Sequence, residues 1–140
     1  MGTVIRAKLS PKNKYWIEKH RYYELKHFCL QYPIWKKAYE DIADITMYTT
    51  SLIEVSTGSK TPSDIVARNA IDKTVYSNRI DTIEKAAYEA DSELSYYILR
   101  GVTEELSFTY LKSRLGMPCS KDTYYDRYRR FFWILSKVRL

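Results

Sequence analysis

The sequence predicts an all-α protein made of one domain, or of one domain with a small satellite. Its 140 residues are enough to bury a real core. Only four glycines and four prolines are present, which leaves few turn signals for a many-stranded sheet. Apolar side chains recur at steps of three and four residues, the spacing of amphipathic helices. With 45 % hydrophobic and 29 % charged residues, the composition is that of a globular protein and excludes a disordered chain.

The first two helices are predicted from their start signals and from one proline. Ser10 and Pro11 form a good helix start, because Ser is a favoured cap and Pro is tolerated at the first helical position. This helix should stop near Gln31, since the residue before Pro33 is disfavoured in the helical conformation. Pro33 can then open a second helix, whose apolar stripe continues to Ile45. Both helices are rich in aromatic residues, which we interpret as core.

A loop and a long third helix complete the predicted scaffold, which spans residues 1–91. Residues 46–61 change character towards Thr, Ser, Val and Ile, so we predict a connector there, with one extended piece at 52–55. Pro62 restarts a helix with an early acid after it, in the order that the helix dipole favours. Apolar residues continue this helix to Glu89. A helix of that length should pack along much of the first two.

The remaining segment, residues 92–140, has the layout of a helix-turn-helix unit. A short helix over 93–102 is followed by a second that Ser107 caps and that Gly116 ends in a left-handed conformation. After a tight connector, Ser120 caps a final helix that reaches to about residue 139. Three short helices in succession, with a Gly-containing turn between the last two, are typical of DNA-binding proteins of this kind.

The positive charge of the chain is concentrated at this end. The net charge is +6, and residues 107–140 carry eight basic side chains against two acidic ones, so the rest of the chain is neutral. A neutral body with a basic end is the pattern expected of a phosphate-binding module. The alternative is a solvated, charged helix near a chain end.

The final helix has two distinct faces. Its core stripe recurs at steps of four and three residues and is broadened by Phe132: Tyr124, Tyr128, Phe131, Leu135 and Val138. The other face carries side chains that can bond base edges or phosphates, because Arg can engage guanine and Asp can accept from cytosine. With two residues of the preceding helix, the predicted DNA-binding set is Ser107, Lys112, Lys121, Asp122, Thr123, Tyr125, Asp126, Arg129 and Arg130.

Two features of this helix admit a second interpretation. Asp122 and Asp126 could pair with Arg129 and Arg130 three or four residues on, which would make the helix a polar lid with no partner. Trp133 lies opposite the core stripe. It could contact a partner, either a second copy of the chain or a polymerase, or it could pack on the N-terminal helices.

The C-terminal motifs resemble two groups of transcription proteins. Residues 104–108, Leu111, Leu115-Gly116 and 120–128 look like the DNA-binding end of sigma factors, although the connector 117–119 is about one residue longer here. The run 122–133 resembles phage late-gene activators of the RinA and ArpU type, and the segments at 22–26 and 87–91 look like the same group. The resemblance implies binding upstream of a phage or prophage promoter and help to the host RNA polymerase in starting transcription.

Other chemistry has no positive signal in the sequence. His20, His27 and Cys29 lie on one predicted helix, but their spacing does not form a zinc site. Motifs of nucleotide-binding, metalloprotease and hydrolase sites are absent from the sequence, so we expect no enzyme activity, no cofactor and no metal. The chain has no long apolar run, and residues 1–10 lack a signal peptide's apolar stretch. With Cys29 and Cys119 interpreted as free thiols, we expect a cytoplasmic protein in a bacterial host cell.

Two rival functions also fit the sequence. The first is a small subunit of a phage terminase, which also joins a helix-turn-helix to an oligomerising helical body. Ring assembly would indicate packaging, whereas a monomer or a homodimer would indicate regulation. The second rival is a structural or inhibitory adaptor that binds a protein through its aromatic face. Such an adaptor would lack the steep salt dependence that phosphate contacts give to DNA binding.

Overall fold

The computed structural model describes residues 11–53 and 62–140, with side chains described for 11–45 and 64–140. Within these ranges the chain is all-α and contains no strand, which confirms the predicted fold class. The described helices are α1 (Lys19–Leu30), α2 (Tyr32–Ile53), α3 (Pro62–Ala90), α4 (Ser95–Glu104), α5 (Phe108–Ser113) and α6 (Lys121–Val138). None of them is both long and apolar enough to cross a membrane.

The segment before α1 forms turns, so the predicted helix start at Pro11 is wrong, and Ser10 lies outside the described residues. The side chain of Asn13 accepts a hydrogen bond from the backbone N–H of Tyr15 at 2.8 Å. Such a side chain offers the backbone an alternative to the helical bonding pattern. As a result α1 begins only at Lys19, eight residues after Pro11.

The break between α1 and α2 lies where the sequence predicts it, at Gln31. Helix α2 then continues past the predicted loop boundary, because residues 46–53 are helical and only 54–61 lie outside the described residues. The β-branched residues there lower helix propensity by only a few tenths of a kcal/mol each. Extending an existing helix is much easier than starting one, so a run of Thr and Ser does not suffice to end it.

The chain divides into two compact units. We call Pro33–Asp81 the hairpin unit, and Met1–Tyr32 together with Thr82–Leu140 the core unit. Within the core unit, α1 packs against both α4 and α6. The segment predicted to be a helix-turn-helix therefore shares its core with α1 and with the end of α3.

In the hairpin unit, α2 and α3 run antiparallel. The guanidinium of Arg79 lies 5.4 Å from the ring centre of Trp35, and the amine of Lys73 lies 5.0 Å from that of Tyr39. Cation–π contacts of this kind stabilise a pair by about 0.5–2 kcal/mol. The unit also leaves large apolar side chains exposed, namely Ile34, Ile45, Ile65, Ile71 and Val75.

The core unit is built around the inner face of α6. Its fully or nearly fully buried side chains come from α1, α3, α4, α5 and the α5–α6 connection: Leu25, Phe28, Cys29, Ile83, Ala86, Ala87, Ile98, Val102, Leu111 and Met117. Tyr22 of α1 packs edge-on against Phe132 at 5.1 Å between ring centres, and its hydroxyl lies 3.3 Å from that of Tyr128. Burial raises the pKa of Tyr22 to about 12, so this hydroxyl stays neutral.

Candidate nucleic-acid interface

The Ser107 cap and the left-handed Gly116 are as the sequence predicts, but α5 ends at Ser113 and not at Gly116. Ser107 caps the helix, because its Oγ accepts a hydrogen bond from the backbone N–H of Tyr110 at 3.1 Å. Gly116 has a φ of +70°, the left-handed conformation that glycine adopts without strain. The next residue, Met117, is buried, and its N–H donates to the carbonyl oxygen of Leu111 at 3.1 Å. The chain therefore turns sharply after α5 and is anchored in the core.

The connection to α6 comprises residues 114–120, longer than the three- or four-residue turn of a typical helix-turn-helix. Ser120 caps α6 through its Oγ, which accepts from the backbone N–H of Thr123 at 3.2 Å. Lys112 is exposed, and its Nζ donates to the carbonyl oxygen of Cys119 at 3.1 Å. This bond joins α5 to the residue before the α6 cap, so it positions the start of α6.

The predicted core stripe of α6 is buried as far as Leu135, and Phe132 broadens it as expected. Val138 departs from the prediction because 58 % of it is exposed in the last turn of the helix. The stripe therefore ends one turn earlier than its spacing suggests.

Tyr125 is buried, so the prediction that its ring faces outward is wrong. Only 7 % of it is exposed, and its ring centre lies 6.4 Å from that of Phe108 and 6.2 Å from that of Tyr128. Phe108 also contacts Tyr124, at 6.0 Å between ring centres. Phe108, at the start of α5, therefore packs on two rings of α6, and Tyr125 belongs to the buried face of that helix.

Asp126 is engaged by Arg127 and not by a residue of the next turn. The Nη1 of Arg127 contacts Asp126, and its Nε donates to Oδ2 of Asp91 at 3.0 Å. The hydrogen bond from Arg127 to Asp91 raises the pKa of the guanidinium further. The sequence also allowed Asp122 and Asp126 to pair with the arginines of the next turn, but in the described part of the chain these pairs do not form.

Arg129 and Arg130 carry charge that the described part of the chain does not balance. Both are half-buried, and neither forms an ion pair or a hydrogen bond with another described residue. The Nε atom of each is buried and has no acceptor. A buried donor without a partner is costly, and more so when its group is charged. No described acid pairs with either guanidinium group, so the positive charge of both stays unbalanced.

Other predicted site residues surround these two arginines in the sequence. Lys121 and Asp122 are exposed in the first turn of α6, whereas Thr123 and Ser107 are half-buried and take part in the caps. Within the described residues, the side chains of Lys112, Arg114, Lys121, Arg129 and Arg130 lack an acidic partner. The structure therefore leaves these cations of α5, α6 and their connection available to an anionic ligand.

Trp133 is half-buried on the outer side of α6 and packs on the N-terminal part of the chain. Its ring centre lies 5.7 Å from that of Tyr15, in the turn segment before α1. The amine of Lys137 lies 4.6 Å from the centre of the same indole ring. Of the two roles considered for Trp133, the packing role is the one observed, although its partner is a turn and not a helix. Sequence reasoning missed Tyr15, whose only signal was its place in an aromatic, basic stretch.

Both cysteines are free thiols, and Cys29 is buried in the core. Burial raises the pKa of both thiols, so neither has the character of a reactive thiolate. Among the described residues, no group of three His, Cys, Asp or Glu side chains could hold a metal ion.

No protein-family model, curated protein or solved structure matches the chain.

Proposed function

We propose that the protein is a sequence-specific DNA-binding transcription regulator that uses α6 as its reading helix. The observation that carries the proposal is the pair Arg129 and Arg130, whose charge no described acid balances. They project from a helix whose opposite side is fixed by buried aromatic rings. A rigid helix with uncompensated guanidinium groups suits an anionic duplex, because Arg binds phosphate and guanine in a bidentate manner.

The length of α6 matches this role. Its 18 residues span about 27 Å at 1.5 Å per residue, whereas the major groove of B-DNA is about 12 Å wide. One half of α6 can therefore lie in the groove while the other half crosses the phosphate backbone. Lys121 and Asp122 are exposed at the N-terminal end, which is the end that reads bases in helix-turn-helix proteins.

The resemblance to phage late-gene activators supports a more specific proposal. The protein would bind upstream of a phage or prophage promoter and assist the host RNA polymerase, without a cofactor. Double-stranded DNA would be its main partner, and a homodimer would read two half-sites that mirror its own symmetry.

Footprinting the purified protein on the intergenic DNA that flanks its own gene tests the proposal. We expect a discrete protected site, and we expect Arg129→Ala and Arg130→Ala to weaken binding there about 5- to 150-fold, the effect of losing about 1–3 kcal/mol. Lys85→Ala, which removes an exposed cation from α3, is the matched control and should bind like the wild type. Thermal unfolding verifies that each variant folds.

Two results would overturn the proposal. One is the absence of any protected site on that DNA. The other is a protected site whose affinity the two arginine variants leave unchanged, because α6 would then not be the reading helix.

A phage small terminase subunit is the second candidate, and the hairpin unit favours it. Five branched apolar side chains of that unit are exposed, as expected of a helical body that assembles with copies of itself. Light scattering separates the two candidates. A particle of eight or more subunits would favour DNA packaging, whereas a monomer or a dimer would favour regulation.

A further inference from the structure

The turn segment before α1, residues 11–18, forms a second basic surface beside the cations of α5 and α6 that lack an acidic partner. Tyr15 is only 9 % exposed, and its ring packs against Trp133 with an angle of 59° between the ring planes. Asn13 holds the turn through its bond to the N–H of Tyr15. An aromatic contact of this kind is worth about 0.5–1.5 kcal/mol beyond the area it buries. The segment is therefore docked on the outer side of α6.

Trp133 lies among the basic residues of α6. Arg129 precedes it by four residues, Arg130 by three, and Lys137 follows it by four. Side chains at these spacings are neighbours on a helix surface, about 5–6 Å apart at Cβ. Docking Tyr15 on Trp133 consequently brings the turn segment close to the arginines of the proposed reading helix.

The turn segment adds cations of its own to this surface. Lys12 and Lys14 are exposed, and neither forms an ion pair with another described residue. The amine of Lys14 lies 5.0 Å from the ring centre of Tyr15, just as that of Lys137 lies over Trp133. The one acid of the segment, Glu18, accepts a hydrogen bond from the N–H of Lys19 at the start of α1. Lys12, Lys14 and Lys137 outnumber this one acid, so the surface has a net positive charge.

We infer that Lys12, Lys14 and Lys137 bind the phosphate backbone of duplex DNA beside the stretch that α6 reads. This inference rests on the proposed function and adds to it a second contact site. Lys137 lies in the last turn of α6, beyond the width of a major groove, so it and the lysines of the turn segment face the phosphates and not the bases. Contacts of this type position a protein on its site and carry no sequence information.

Salt dependence tests the inference, because removing one lysine–phosphate interaction reduces the slope of log K against log salt concentration by about 0.9. The probe is the footprinted duplex with a fluorescent label, titrated by anisotropy from low to moderate salt. We expect the double variant Lys12→Ala/Lys14→Ala to reduce the slope by about 1.8, and Lys137→Ala by about 0.9. A duplex of unrelated sequence should show the same reductions. Lys85→Ala should leave the slope unchanged.

Removing the Tyr15 ring keeps the charge of the turn segment but removes its contact with Trp133. It therefore tests whether this contact holds the segment on α6. Tyr15→Ala should reduce the slope as much as the lysine double variant does, whereas Tyr15→Phe, which keeps the ring, should match the wild type. Circular dichroism checks that the total helix content of both variants is unchanged.

The outcomes separate this inference from the function on which it rests. If Arg129→Ala reduces the slope and the three lysine substitutions do not, the turn segment binds no phosphate, and the proposed function stands. If the wild-type protein binds no duplex, both proposals are overturned.

Discussion

At the scale of single residues, Gly101 lets α4 approach α6 closely. A Cβ at this position would lie 2.3 Å from the hydroxyl oxygen of Tyr124 and 3.4 Å from Cδ1 of Leu111. Tyr124 is 1 % exposed, and its hydroxyl has no hydrogen-bond partner among the described residues. Burial raises the pKa of this phenol, so the hydroxyl is neutral.

Overpacking a core usually costs about 1–3 kcal/mol. Ala gains about 1 kcal/mol over Gly in a helix interior, so Gly101→Ala should destabilise the protein by up to about 2 kcal/mol. Tyr124→Phe removes an unpartnered buried hydroxyl, so it should be neutral or stabilising. In the Tyr124→Phe background, Gly101→Ala should cost much less, as measured by urea unfolding of all four proteins. An equal cost in both backgrounds would show that the two groups do not clash.

Asp91 joins the end of α3 to α6 and also organises the turn before α4. Its Oδ1 accepts from the backbone N–H groups of Glu93 and Leu94, at 2.9 and 3.1 Å, and its Oδ2 accepts from Arg127. Asp91→Asn should remove the ion pair and keep the turn, whereas Asp91→Ala removes both. We expect stability to fall in the order wild type, Asn, Ala, with a total decrease of about 1–3 kcal/mol in denaturant unfolding. An Asn variant as unstable as the Ala variant would show that the turn bonds contribute nothing.

The same carboxylate predicts a pH dependence. Burial raises the pKa of Asp91, but the bonds from Arg127 and the two N–H groups outweigh it, and the net shift is downward. A folded-state pKa below the unfolded value means that the charged form stabilises the fold above about pH 4 and that this contribution is lost at lower pH. The stability difference between wild type and Asp91→Asn should therefore shrink between about pH 5 and about pH 3. A difference that stays constant over this range would contradict the assignment.

At the scale of elements, the α5–α6 connection depends on one backbone conformation. Gly116 has a positive φ, and a Cβ there would meet no atom within 4 Å. Gly116→Ala should therefore cost about 1–2 kcal/mol through backbone strain alone. Gly116→Asn should cost less, because Asn tolerates the left-handed region. Thermal unfolding of the two variants measures this difference, and equal destabilisation would indicate that the strain lies elsewhere.

Element boundaries that depend on local chemistry were predictable from the sequence. The Ser107 and Ser120 caps and the Gly116 turn each involve residues a few positions apart, and all three are observed. The start of α1 was not predicted correctly, because Ser10-Pro11 and Asn13 give competing local signals and the side chain of Asn13 prevails. Propensity alone likewise could not show that α2 continues to Ile53.

Contacts between elements distant in sequence could not be predicted. The contact of Tyr125 with Phe108, 17 positions earlier, could not be predicted, although the spacing of seven residues between Tyr125 and Phe132 places both on one face of α6. The Arg127–Asp91 ion pair joins residues 36 positions apart. It removes Arg127 from the cations that lack an acidic partner. Trp133 was recognised as lying off the core stripe, but its partner Tyr15 comes from the other end of the chain.

At the scale of the whole molecule, the structure redistributes the charge that the sequence concentrates in residues 107–140. Arg127 and Arg139 pair with Asp91 and Glu24, which lie outside that range. Elsewhere in the described residues, cations pair with acids within their own unit, as Lys37 does with Asp41 and Arg100 does with Glu104. Fewer cations of α5 and α6 therefore lack an acidic partner than the sequence suggested.

Mapping the backbone amides of isotope-labelled protein by NMR, during titration with the footprinted duplex, tests the central claim most directly. If α6 is the reading helix, the largest chemical-shift changes should lie at residues 120–130, with further changes at 12–14 and 133–137, and the hairpin residues 64–81 should change least. Changes confined to residues 64–81, with α6 unperturbed at saturating DNA, would contradict the claim.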